Sequence, residues 1–178
     1  MTGTIATRTI DVQTRAVTAE DAARIGRLHA GVFGPGRFAR SAYLVRAGTP
    51  FASPFCRVAT QGDRIIAALR MTPATVSGTT GALLLGPLAV DPEFANRGYG
   101  RRLIAESFEA ATAAGFRLVL LVGDFSYYGR MGFIAVPAGQ IWLPGPADPA
   151  RILARELVAG TLVDYRGQVA AGTWVARA

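Results

Sequence analysis

The sequence predicts a mixed α/β fold, and three observations predict it. Residues 83–114 read as an apolar strand, a turn, a loop rich in arginine and glycine, and a long amphipathic helix. Arg57–Thr60 and Ile65–Met71 flank the turn Gln61-Gly62-Asp63 and read as an antiparallel hairpin. A fully apolar strand, Leu118–Val122, follows the helix, so strands and helices alternate along the chain. With 178 residues, 51% of them hydrophobic, the chain can bury one real core, and a single domain over 1–178 is expected.

The elements follow in order. Residues 1–10 form a polar lead-in with no apolar core of signal-peptide type. Gln13–Ala16 reads as a short strand. Thr18, with Asp21 three residues on, is a capping sequence, and a helix follows through Ile25, Leu28 and Val32 to Gly34-Pro35-Gly36. A second helix is expected over Phe38–Arg46. After the hairpin, Pro73–Gly81 is expected to turn. The central strand starts near Leu83 and carries Gly86-Pro87, which should break or splay its ladder. From Gly98 the pattern is helical, with Ile104, Phe108 and Ala111 on one face and Gly115 as the stop. Gly123-Asp124 is a turn before FSYYGRMGF, and Phe133–Val136 begins another strand. The extension 137–178 is rich in Pro, Gly and Ala, and should pack on the same domain. It has a helical patch at about Pro149–Val158 and a strand near Leu162–Tyr165.

The chemistry concentrates at Asn96-Arg97-Gly98-Tyr99-Gly100-Arg101-Arg102. Two glycines let backbone approach a ligand, and the first N–H groups of the helix point outward with the positive end of its dipole. Arginines surround that point, so the loop suits a phosphate or pyrophosphate. A tight strand-to-helix turn with a solvated arginine face explains the same residues. Leu103 stands where a dinucleotide fingerprint needs a third glycine, and a chain without lysine has no P-loop.

The rest of the composition narrows the field. Cys56 and His29 are the only cysteine and histidine. They exclude an internal disulfide and argue against a zinc or transition-metal site, and both read as structural residues. The net charge of +7 comes entirely from scattered arginines. That spread is compatible with a polyanionic cofactor, and it lacks the blocks that mark a nucleic-acid binder. No apolar run approaches a membrane span, so no membrane partner and a cytoplasmic location are expected.

LGPLAVDPEFANRGYGRRLI, followed after a helix and a strand by YYGRMGF, resembles the acyl-CoA-binding core of the GNAT superfamily of N-acetyltransferases. The resemblance covers about Val58–Ile134. It rests on Gly98 and Gly100 of an Arg/Gln-x-x-Gly-x-Gly/Ala motif and on Tyr128 of a Tyr-x-x-x-Gly-Phe motif. Ala95 departs from the usual Arg or Gln. The shortened YYGR turn and the C-terminal extension resemble one branch of the superfamily. The resemblance implies a mostly antiparallel sheet with a central splayed strand and helices on both faces.

It also implies acetyl-CoA as co-substrate and direct attack by a primary amine of a small molecule or peptide, without a metal. Asn96, Arg97, Gly98, Tyr99, Gly100, Arg101 and Arg102 would hold the pyrophosphate. Arg101, Arg102 and Arg130 are the candidates for the 3′-phosphate. Leu88, Ala89 and Val90 would pair with the pantetheine amides as another strand would, with Val90 N–H polarising the thioester carbonyl. Tyr128 would be the general acid that protonates the leaving thiolate, with Tyr127 among the cofactor-binding residues. Phe33, Arg37 and Phe38 are weaker candidates for the acceptor site. No base is evident, since Leu83, Leu84 and Leu85 occupy the strand where the family often carries a carboxylate, and Asp124 reads as a turn residue or helix cap. A catalytically weak CoA-binding module acting as a sensor or partner is the alternative, and the sequence leaves a homodimer open.

Overall fold

Two long strands form the spine of the sheet, β3 (Arg64–Val76) and β4 (Thr79–Val90). The computed structural model describes residues 11–36 and 41–174. The link between β3 and β4 is Ser77-Gly78, with φ of 43° and 86°. Two positive φ values in a two-residue turn match the twist of the flanking strands. The turn expected over Pro73–Gly81 is therefore much shorter than the sequence suggests. Pro73 lies inside β3 opposite Leu83, and its carbonyl accepts from Gly172 N–H at 3.0 Å. That edge faces away from β4, so the β3–β4 ladder does not need the N–H that proline lacks.

Around this spine the strand order is β1 (Val12–Ala16), β2 (Arg57–Gln61), β3, β4, β5 (Leu118–Val122), β8 (Ile152–Glu156) and β6 (Ile134–Ala135). These neighbours are antiparallel except β4 and β5. β9 (Gly167–Ala171) pairs with the end of β3, and β7 (Ile141–Trp142) runs parallel to β9. The fold class is the expected one: a mixed α/β, mostly antiparallel sheet with helices on both faces.

α3 (Tyr99–Ala113) covers one face, burying Leu103, Ile104 and Ala111 against Ala59, Ala67, Leu69, Leu83 and Leu85. Its C-terminus is closed by Gly115 (φ 82°), with Phe116 N–H donating to Ala111 C=O at 3.1 Å. On the opposite face, α1 (Ala22–Phe33) buries Ile25 against Val58, Ile65 and Ala68. There α2 (Ser41–Val45) buries Val45 with Ala74, Val76 and Leu84. The second helix is shorter than expected, and residues 37–40, including Arg37 and Phe38, lie outside the described residues. Among the described residues no helix is long and apolar enough to cross a membrane.

The tail departs most from expectation. Pro149–Val158 is not helical. A 3-10 turn, Pro149–Arg151, leads into β8, which pairs along all of β5. β5 is buried and its outer edge must find partners, a demand that overrides the helix preference of Ala, Arg, Glu and Leu. Leu162–Tyr165 is no strand either, because a 3-10 turn spans Thr161–Asp164. The Gln140 amide satisfies the carbonyls of Leu162 and Tyr165, at 2.8 and 3.0 Å, where a ladder otherwise would. The strand after Phe133 shrinks to Ile134–Ala135.

The capping sequence at Thr18 forms as expected. Asp21, fully buried, accepts from Thr18 N–H at 2.9 Å and pairs with Arg15 at 2.6 Å and Arg24 at 2.8 Å. The Arg15 guanidinium holds this carboxyl well below the usual carboxylate range. A depressed folded pKa stabilises the fold above the unfolded value, near 4, and that contribution is lost as pH falls below it. Asp21→Ala should cost about 1–3 kcal/mol in urea unfolding at pH 7, and the difference from wild type should shrink between pH 5 and pH 3.

Candidate active site

β4 and β5 are paired only over Ala82–Leu84 and Leu118–Leu120, and then they part. On the other edge of β4, Leu85 pairs with Met71 and Leu88 with Leu69, so Arg70 alone opposes Gly86-Pro87. This is the break expected at that dipeptide, and Gly86 supplies the φ of 114° that it needs. Beyond the bulge, Asp91 N–H donates to Ile66 C=O at 2.8 Å. That bond sets the alternation. Ala89 also faces β3, whereas Leu88 and Val90 turn their backbone N–H and C=O toward the gap.

The N-terminus of α3 closes one end of this gap. Asn96 (φ 60°) and Gly98 (φ 83°) shape the loop, and Gly98 caps the helix without a side chain. Arg102 N–H makes the first helical bond, to Gly98 C=O at 3.0 Å. The N–H groups of Tyr99, Gly100 and Arg101 therefore have no intrahelical acceptor. Gly100 is buried, and a Cβ built on it would stand 3.0 Å from the Tyr127 hydroxyl and 3.3 Å from Leu88 Cδ2. The fold thus brings Leu88, Val90, Gly100 and Tyr127 together, with Ala89 facing away through its backbone.

The arginines of the loop divide by partner. Arg102 Nε pairs with Glu106 at 3.1 Å, and Arg97 lies over the Phe94 ring at 5.2 Å. Arg101 is exposed and in no described ion pair. It favours the phenolate of Tyr127, against the upward shift that burial imposes on that hydroxyl. Arg130 is exposed on the turn after α4 (Phe125–Tyr128).

Tyr128 faces the other way. Its ring meets Tyr127 edge-on at 4.9 Å and Phe133 at 5.7 Å. A Cβ on Gly123 would fall 2.5 Å from Tyr128 Cε2, so Gly123 makes room for the ring. Burial, with Tyr127 and Asp124 nearby, pushes the Tyr128 hydroxyl up to about 12. Tyr128 lines a cavity of about 400 Å³ that opens where β4 and β5 part. Leu85, Pro87, Leu121 and Val122 form its strand side, and Phe33, Tyr43 and Arg46 its helical side. Asp148 is the one carboxylate on its wall among the described residues. Asp124 stands at the N-cap position of α4, where its carbonyl accepts from Tyr127 and Tyr128 N–H at 3.0 Å, and its carboxylate pairs with Arg151 at 3.2 Å, the structural role read from the sequence.

Arg46, Asp148 and Arg151 were not legible as site residues. Nothing in their spacing relates them to the glycine loop, and α2 and the tail reach the cavity only through the tertiary fold. Cys56 and His29, unrelated in the sequence, border the same void of about 10 Å³, too small to hold a ligand. Cys56 Sγ contacts Met71 C=O at 3.4 Å.

Residues 13–136 match the family model of the GNAT acetyltransferase domain. The chain belongs to the GNAT family of acetyltransferases. Among curated relatives, an uncharacterized N-acetyltransferase of Escherichia coli K12, YjhQ, is 40% identical over 63 residues. That match spans 35% of this chain and about a third (34%) of the relative. Among solved structures, the GNAT N-acetyltransferase YhbS of Escherichia coli, in complex with CoA, superposes with a TM-score of 0.78 at 22% identity, over 94% of this chain and 97% of that one. A GNAT acetyltransferase of Brucella melitensis, in complex with acetyl-CoA, gives 0.61 at 26% identity, over 82% and 96%.

Two glycines of this GNAT protein test the loop differently. Gly100→Val fills the space against Leu88 and Tyr127 and should weaken acetyl-CoA binding at least tenfold in calorimetric titration. Gly98→Ala meets no atom within 4 Å but keeps a φ of 83°. It should cost about 1 kcal/mol of stability and change the affinity much less.

Proposed function

We propose that the chain moves an acetyl group from acetyl-CoA to a primary amine of a small molecule or peptide by direct attack. The observation that carries this reading is the gap between β4 and β5, with free helix N–H groups at one end and a tyrosine-lined cavity at the other. In this reading the pyrophosphate lies on the N–H groups of Tyr99, Gly100 and Arg101, over the turn Asn96-Arg97-Gly98. Arg97 and Arg101 add positive charge there, and Arg102 less so, because Glu106 already pairs with it. The pantetheine arm runs along β4 as an added strand and pairs with Leu88 and Val90, whose free backbone groups face it. Ala89, earlier grouped with them, contributes packing. Tyr127 covers Gly100 and walls the channel.

Val90 N–H then polarises the thioester carbonyl, a contribution of about 3 kcal/mol for one well-aimed donor. The amine lone pair attacks the carbonyl carbon, the C–S bond breaks, and the nitrogen loses a proton as sulfur gains one. Tyr128 is the general acid that donates to the departing sulfur. Burial disfavours its phenolate, so the hydroxyl stays protonated throughout the assay range. A free tyrosinate there would be a stronger base than the thiolate. Proton transfer to sulfur is therefore balanced by the proton leaving nitrogen. An alkyl amine of pKa near 10.4 is roughly one part in 10³ neutral at pH 7.4, and Asp148, on the cavity wall, is the carboxylate that assists in this reading.

Tyr128→Phe should lower kcat by about 10²–10³ with the Kd for acetyl-CoA within twofold of wild type, read by thiol release against an amine panel. Unchanged turnover would remove Tyr128 from the mechanism, and acetyl-CoA binding without turnover of any amine would favour the CoA-binding module. The pH profile gives a separate check. With Tyr128 held near 12, kcat/KM should climb with the neutral amine and show no fall between pH 8 and 10. A descending limb in that range that disappears in Tyr128→Phe would keep Tyr128 as the acid and overturn only its raised pKa, whereas one that persists in Tyr128→Phe would belong to another group.

A further inference from the structure

The cavity beside Tyr128 contains a cation that no carboxylate among the described residues neutralises. Arg46, on the residue after α2, is 3% exposed and lines the cavity. Its Nε donates to the Thr72 hydroxyl at 2.9 Å and one Nη to Leu84 C=O at 3.3 Å. The other Nη, fully buried, has no hydrogen-bond partner among the described residues. No described ion pair includes Arg46. Burial, and after it the like charge of Arg70 on β3, pulls the Arg46 guanidinium down to about 9, against smaller opposing influences from Cys56 and Tyr43. It remains cationic at neutral pH. Arg70 itself is braced by the Thr49 hydroxyl at 3.2 Å and by Pro50 C=O at 3.0 Å, and is in no described ion pair.

A buried guanidinium without a carboxylate is costly unless something else supplies the negative charge. One of its nitrogens is spent on the Thr72 hydroxyl and one on the Leu84 carbonyl, where β4 starts to leave β5, and the planar guanidinium then fixes the direction of the third. A purely structural arginine would be equally well served by a neutral donor at Thr72 and Leu84. Asp148, on the same cavity, spends one oxygen on Ala150 N–H at 2.9 Å and is exposed. Asp124 is committed to Arg151.

Building on the acetyltransferase reading, we propose that the acceptor is an amino acid or other small amino-carboxylate, whose carboxylate seats on the free Nη of Arg46 while its amine faces the thioester. One unpartnered nitrogen and one uncompensated charge suit a monoanionic carboxylate. A phosphate would bring about two charges, which one uncompensated cation does not match. The cavity, about 400 Å³, has the size of a small-molecule site. Arg46 is then a specificity-determining residue, distinct from the groups assigned to acetyl-CoA.

The test compares matched amines on the purified protein with acetyl-CoA, reading thiol release and product mass. A set of L-amino acids is run beside their amides, their decarboxylated amines and the corresponding aminophosphonates. The expected result is a kcat/KM at least tenfold higher for the best amino acid than for its amide, its decarboxylated amine and its phosphonate. In Arg46→Met that ratio should collapse toward one, with the Kd for acetyl-CoA within twofold of wild type. Arg46→Lys should recover part of it. The wild-type ratios stand alone should the variants fail to fold. Amides or plain amines turned over as well as the acids would overturn the proposal, as would a preference that survives in folded Arg46→Met, or a preference for the phosphonate. If no amine of any class is acetylated although acetyl-CoA binds, the acetyltransferase reading itself fails, a different outcome from turnover without carboxylate preference.

Discussion

The separation of β4 from β5 after three paired residues is the constraint on which the rest of the structure depends. A strand edge inside a folded domain presents backbone N–H and C=O groups that must find partners. Leu88 and Val90 turn theirs into the gap, and no strand among the described residues meets them there. β5 cannot follow, because its far edge is fully taken by β8. The Gly86-Pro87 bulge keeps β4 attached to β3 while its free edge swings away. In the proposed reading, an extended ligand with amides of its own supplies what a missing strand would.

Other features become intelligible from that gap. Gly100 is buried against Leu88 and Tyr127 because the helix must approach the strand at the point where the free edge ends. Gly123 is bare because the Tyr128 ring lies on it at the mouth of the cavity. Charge is distributed accordingly. Arg15, Arg24, Arg64, Arg102, Arg117 and Arg151 are each tied to a nearby carboxylate. The excess positive charge includes Arg97 and Arg101 at the loop and Arg46 in the cavity. A net charge of +7 read from composition could not distinguish these local tasks from a general attraction to polyanions.

Where the sequence was informative, backbone chemistry was local. Gly86-Pro87 announces a broken ladder, Gly98 a positive-φ turn into the helix, Gly100 a close approach of helix to strand, and Tyr128 and Gly132-Phe133 a turn packed on an aromatic. The hairpin at Gly62 and the cap at Thr18 also follow from short-range preferences. The sequence misled where partners come from far away. Ile152–Glu156 has a helical composition yet is a strand because β5 needs its edge covered. Pro73 looks like a turn residue yet lies in β3 because its missing N–H faces the edge that β4 does not use. Leu162–Tyr165 looks like a strand, but its carbonyls are bonded by a glutamine 22 and 25 residues earlier. The cavity beside Tyr128 was illegible for the same reason. Its helical wall and its Asp148–Arg151 rim meet the central strands only in three dimensions.

The most direct measurement is residue-resolved amide NMR of the labelled protein titrated with acetyl-CoA. The account predicts saturable shifts and new protection from exchange at Leu88 and Val90 and at Tyr99, Gly100 and Arg101. Ala89, already turned toward β3, should gain little protection, and the β1–β2 edge none. Binding that leaves Leu88 and Val90 unprotected, or saturation at a different surface, would contradict the claim that the parted strands are the cofactor channel.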